Sequence, residues 1–98
     1  MEIMKILGQD ALTFKVKGRL DTNSAPELEK EITESIIGIT KLIIDFAELQ
    51  YISSAGLRVL LATQKTMNKQ GTMVLKNVSD TIMEILEVTC FSEILTIE

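Results

Sequence analysis

The chain has no histidine and no tryptophan, one cysteine (Cys90) and one proline (Pro26). Without histidine, Ser-His and Cys-His catalysis are excluded, and the commonest transition-metal ligand is missing. A lone cysteine allows no internal disulfide. Because Cys90 lies among apolar residues, it reads as a buried, inert thiol. Aromatic residues make up only 4% of the chain, and no basic cluster accompanies them. Direct nucleic-acid binding is therefore not expected. Long apolar runs are absent too. The sequence is 46% hydrophobic, with a mean hydropathy of +0.25, yet no run approaches the roughly 18 residues of a membrane helix. The N-terminal residues Met1-Glu2-Ile3-Met4-Lys5 lack the basic region and long apolar core of a signal peptide. These absences point to a cytoplasmic protein without membrane insertion, with no metal and no cofactor.

What is present fits one domain spanning 1–98 with a single core. The net charge is -4. The chain turns on Ile52-Ser53-Ser54-Ala55-Gly56-Leu57. Ahead of it, Leu42-Ile43-Ile44-Asp45 is a short apolar run that reads as a buried strand. Its near-continuous apolar character suits a parallel strand covered on both faces. After it, Leu57, Leu60, Leu61 and Met67 recur at helical spacing. The serines thus start a helix of about 55–69, closed by Gly71. Serine suits that place because its hydroxyl accepts from a backbone N–H that lacks a partner inside the helix. The same N–H groups, with the helix dipole, stabilise an anion. A serine there can act as a plain cap or carry a phosphate.

The flanking pattern is α/β. Residues 3–7 and the alternating Leu12, Phe14 and Val16 predict an N-terminal β-hairpin turning at Gly8-Gln9-Asp10. Gly18-Arg19-Leu20-Asp21 either extends the second strand past a bend or starts a new one. Ser24-Ala25-Pro26-Glu27 fits a capping box, with Ser24 as N-cap and Glu27 reaching back. Leu28, Ile32 and Ile36 then form one helical stripe ending near Gly38. Residues 45–52 read as a connector. A strand is expected over 72–75 and a third helix capped by Ser79 or Asp80, with Ile82, Met83, Ile85 and Leu86 as its apolar set. A final strand is expected over 94–97. Alternation of strand and helix from Lys41 onward gives the class.

Ile44-Asp45-Phe46 through Ser53-Ser54-Ala55-Gly56-Leu57-Arg58-Val59-Leu60-Leu61 resembles the signature of the STAS family, the bacterial anti-sigma factor antagonists. Gly18-Arg19-Leu20-Asp21 looks like the family's Gly-x-[Leu/Ile]-Asp turn. The resemblance covers nearly the whole chain. It implies a mixed sheet of about four to five strands with an N-terminal hairpin and three main helices. The family commonly adds a C-terminal helix, before which this sequence stops. The implied function is partner switching: the unmodified antagonist binds an anti-sigma factor that is also a serine kinase, freeing a sigma factor. Phosphorylation of the antagonist ends the complex, and a PPM-type serine phosphatase reverses it. The implied acceptor is Ser54. The family usually has Asp just before it, and Ser53 stands there as a competing acceptor. The implied contact surface takes in Asp21, Thr22, Ser53, Ser54, Gly56, Leu57 and Arg58. No catalytic residue is implied. The alternative is an unswitched subunit docking on the ATPase of a lipid-transport ABC complex. A serine-nucleophile enzyme fits worst, since no Gly-x-Ser-x-Gly elbow is present.

Gly56 and Arg58 have plainer readings as well. A glycine inside a first helical turn serves either close approach by a partner or tight packing on a neighbouring strand. Arg58, four residues after Ser54, shares its helix face and is either a phosphate partner or a solvated charge. Asp21 read from the residues alone is turn chemistry.

Overall fold

The computed structural model describes residues 1–9 and 11–98. Strands β1 (Glu2–Leu7) and β2 (Ala11–Leu20) form the expected antiparallel hairpin. Asp10, part of the expected turn, lies outside the described residues. Helix α1 (Ala25–Ser35), strand β3 (Lys41–Ile52), helix α2 (Ser54–Asn68), strand β4 (Thr72–Lys76) and helix α3 (Asp80–Val88) follow. The sheet runs β1-β2-β3-β4, with β2, β3 and β4 mutually parallel. Gly18 holds a φ of 97°, so the chain extends β2 through the bend instead of starting a new strand.

The segment expected as a connector is strand. β3 continues past Asp45 to Ile52 and stays paired with β2. Its ladder shifts register twice, so that Lys15 and Lys17 pair with Asp45 and Glu48, and Gly18 and Arg19 with Leu49 and Tyr51. Each shift gives β3 one extra residue, a β-bulge. Buried residues therefore fall at Ile44, Phe46, Leu49 and Ile52. The three-residue steps imitate no regular element, which hid the strand. Asp45 secures the first bulge by accepting from the Ala47 N–H at 2.9 Å.

The helices cover one sheet face only, against the expectation of two. Leu12, Phe14, Val16, Leu42, Ile44, Met73 and Leu75 join Leu28, Ile32, Leu57, Leu60, Ile82 and Leu86 in one core. The opposite face carries Met4, Ile6, Thr13, Ile43 and Val74, the alternate positions of the same strands. Val74 is buried yet lies outside that core. Met4 is 60% exposed and Ile6 47% exposed, so this face is open.

The expected last strand shrinks to one parallel bridge between Leu75 and Ile97. Residues Phe91–Glu93 form a 3-10 turn whose C-cap is Ile94, so backbone that would have paired is spent on the turn. Cys90 is exposed at a φ of 64°, not buried, because it stands at the left-handed residue between α3 and that turn. Leu61 is half-buried, and Met83 and Ile85 of α3 likewise, leaving Ile82 and Leu86 as that helix's buried pair. No helix among the described residues is long and apolar enough to cross a membrane.

Candidate functional site

β2 and β3 end side by side, and their ends build the site. The Ser53 N–H donates to the Leu20 carbonyl at 2.8 Å, the last rung where the two strands end. This rung sets the serines against the turn that begins at Asp21. Arg19 and Tyr51 are paired one step earlier, with the guanidinium 4.3 Å from the ring centroid. Neither was singled out from sequence, although each stands two residues before a site residue (Asp21 and Ser53).

The serines divide their work. Ser53 is the N-cap, half-buried and extended, with φ of -98° and ψ of 174°. Its hydroxyl accepts from the Gly56 N–H at 3.4 Å, and its carbonyl accepts from Leu57 N–H at 3.0 Å. Ser54 is the first helical residue, exposed, and among the described residues its hydroxyl has no hydrogen-bond partner. Of the two candidate acceptors, Ser53 is engaged and Ser54 is free.

Asp21 is half-buried, and its carboxylate is heavily used. Oδ1 accepts from the N–H groups of Asn23 and Ser24, each at 3.0 Å. The Ser24 hydroxyl reaches the Arg19 carbonyl at 2.8 Å and Asp21 Oδ1 at 3.1 Å, while accepting from the Asp21 N–H at 2.9 Å. The expected capping box of Ser24 and Glu27 does not form: the hydroxyl turns back into this loop and caps nothing in α1. The bond from the Ser24 N–H is the main force holding the Asp21 carboxyl below its ordinary value. It acts against desolvation and is helped by the Ser24 hydroxyl, the Asn23 N–H and Arg19. The turn-chemistry reading of Asp21 therefore holds as a structural fact, beside any role in contact.

Gly56 and Leu57 are buried in the core. A Cβ on Gly56 would stand 2.7 Å from Leu20 Cγ and 2.9 Å from Ile52 Cγ1. The glycine thus lets α2 lie close on the ends of β2 and β3. Arg58 and Thr22 are exposed. They flank a shallow groove of about 330 Å³ between the starts of α1 and α2, floored by Ala25, Ala55 and Val59 and rimmed by Glu29. Of the groove-lining residues on α1, Ala25 and Pro26 read from sequence only as part of a capping box, and Glu29 carried no signal. Of the expected contact residues, Thr22, Ser54 and Arg58 are exposed, and Asp21 and Ser53 are half-buried.

Comparison with known proteins agrees with this architecture. A sequence profile of the STAS domain matches residues 3–98. The anti-sigma-B factor antagonist of Listeria monocytogenes is 32% identical over 92 residues, which is 91% of this chain and 80% of that protein. An anti-sigma factor antagonist from Mycobacterium paratuberculosis superposes with a TM-score of 0.88 at 20% identity, covering 98% of this chain and 83% of the other. SpoIIAA, an anti-sigma factor antagonist, is similar in its unphosphorylated form, with a TM-score of 0.78 at 18% identity over 99% of this chain and 87% of that one. Its phosphorylated form gives 0.77 at 17% identity, over 99% and 91%.

Proposed function

The chain belongs to the STAS family, and from that premise we propose that it is an anti-sigma factor antagonist switched by phosphorylation of Ser54. In this reading the unmodified protein docks on an anti-sigma factor with serine-kinase activity, through Asp21, Thr22, Ser54 and Arg58. Docking displaces the sigma factor. The kinase then transfers the γ-phosphoryl group of its bound ATP onto Ser54 Oγ, which gives up its proton as ADP leaves, and the complex dissociates. A PPM-type serine phosphatase restores the hydroxyl. The protein itself acts by binding and carries no catalytic residue, and its place of work is the cytoplasm.

One observation carries this reading: Ser54 Oγ is exposed and unpartnered at the first residue of α2, while its neighbour Ser53 does the capping. Phosphorylation would take the net charge from -4 to about -6. At a helix start the added charge is tolerated by the dipole and the unpaired N–H groups. Arg58 stands one turn on, where its guanidinium can reach the new oxygens. The fold therefore survives, and the cost falls on docking, where the phosphate, held by Arg58 alone, must be desolvated against the partner protein.

The test is intact-mass analysis of protein taken from its native cells, with and without phosphatase treatment, followed by peptide mapping. A phosphatase-sensitive gain mapped to Ser54 supports the switch. No phosphoform under any growth condition, or one mapped only to Ser53, sinks it. The second reading, an unswitched STAS subunit of a lipid-transport ABC complex, rests on Ser53 standing where the family usually has Asp, and it expects no phosphoform.

A further inference from the structure

The open sheet face has an arrangement of charge that its fold uses only in part, Asp45 holding the Ala47 N–H and the Asn77 amide. On this face β2 presents Lys15 and Lys17, and β3 presents Asp45 and Glu48 directly beside them in register. One strand is basic and its neighbour acidic. Lys15 and Glu48 make no ion pair among the described residues, and Lys17 reaches Glu2 only at 4.0 Å. One row along the strands, Ile6, Thr13, Ile43 and Val74 form a low-polarity band across all four strands. A depression of about 510 Å³ opens among Met4, Lys15, Lys17, Asp45 and Glu48.

We infer that this face binds a second copy of the chain, the two sheets stacking around a two-fold axis that runs along the strands between β2 and β3. Such an axis leaves each row at the same height and reverses its order across the sheet. Each β2 then lies over the other copy's β3, and each β1 over the other's β4. Lys15 faces Asp45, and Lys17 faces Glu48, twice each. In the apolar band Thr13 meets Ile43, and Ile6 lies over the other copy's β4 at the height of the already buried Val74. A lysine and a carboxylate side chain together span the roughly 10 Å between stacked sheets. The contact is isologous, so it closes at two copies. An axis between β1 and β2, or between β3 and β4, matches one charged row only, Glu2 with Lys17 or Asp45 with Lys76.

The face measures about 19 Å by 20 Å from strand spacing and rise. That is smaller than the roughly 800 Å² per partner of a standard interface. The dimer is therefore weak, with a Kd on the order of 10–500 µM, and it loosens as salt screens the exposed pairs. The serine pair belongs to the helix layer on the other side of the sheet, so both copies keep that surface free.

The experiment is sedimentation equilibrium of the whole chain up to about 1 mM, with thermal unfolding of every variant as a check on the fold. The unaltered chain should dimerise reversibly. Lys17→Glu and Glu48→Lys should each raise the Kd at least about tenfold, since each sets like charges face to face. Mixing the two single variants one to one should restore association, because each supplies the charge the other needs. A role confined to one sheet would give no such rescue. Ile43→Lys, with the melting temperature retained, should abolish the dimer. A monomer at every concentration overturns the inference and leaves the face to another occupant. So does a dimer indifferent to these substitutions, or single variants that fail to rescue each other.

Discussion

The starts of α1 and α2 use the same residue type in opposite ways. Before α1, the hydroxyl of Ser24 and the carboxylate of Asp21 are interlocked, each serving the backbone of the other's turn. Before α2, Ser53 alone does the capping, and Ser54 is left with nothing to hold. A polar group that completes a turn is committed to stability. One that the turn does not need is available for chemistry. The two helix starts face each other across one groove, lined by Thr22 and Ala25 on one side and by Ala55 and Arg58 on the other.

The contrast can be broken most sharply at Ser54. Ser54→Glu should weaken binding to the kinase partner by about 100-fold or more, the scale of an unpaired buried charge, while the melting temperature stays within a degree or two. Titration calorimetry and thermal unfolding would decide it, and a variant that unfolds instead would put Ser54 among the structural residues. Gly56→Ala comes next. Helix propensity favours alanine by about 1 kcal/mol, but the clash with Leu20 and Ile52 should leave a net loss of about 1–3 kcal/mol in denaturant unfolding.

At the α1 start, Ser24→Ala removes one acceptor and one donor from the loop. It should cost about 1–2 kcal/mol, where the same change at Ser54 should cost under about 0.5 kcal/mol and merely abolish phosphorylation. Equal losses at the two serines would erase the distinction.

Acid should also separate the two sites. The Asp21 carboxyl lies below its ordinary value of 3.8 in the folded chain. Its contribution is therefore complete above that value and is lost as pH falls through the lower, folded one. Asp45 acts with the same sign: burial opposes its ionisation, but the Asn77 amide, the Ala47 N–H, Lys15 and Lys76 outweigh it. Stability should decline below about pH 4. Asp21→Asn should flatten part of that decline, and Ser54→Ala should leave its slope unchanged.

Much of this was legible in the residues. The hairpin, the three helices and the strands at 41–45 and 72–75 follow from apolar period and punctuation. The serines fall at the predicted helix start because Gly56, Leu57 and Leu60 set the helical phase directly after them. What escaped has physical causes. The bulges broke the two-residue alternation in β3. The Ser24 cap failed because Asp21 offered its hydroxyl a better-placed partner. Cys90 is exposed because a left-handed turn, which apolar neighbours do not announce, lifts it off the surface.

The two bulges in β3 also cancel. In an unbroken ladder, Ile44 and Ile52 would face the same way, but Glu48 and Gln50 would join them inside. One extra residue alone rescues Glu48 and then turns Ile52 outward. With both, Glu48 and Gln50 stay wet, and Ile52 still points inward to meet Gly56. The segment between Phe46 and Ile52 is thus a matter of parity. A change of one residue in its length would present the serines on the wrong side of the chain, whereas a change of two would keep the side but carry them off the Leu20 rung. Any relative in which this stretch differs in length by an odd number must have moved its hydroxyl or found another means of aiming it.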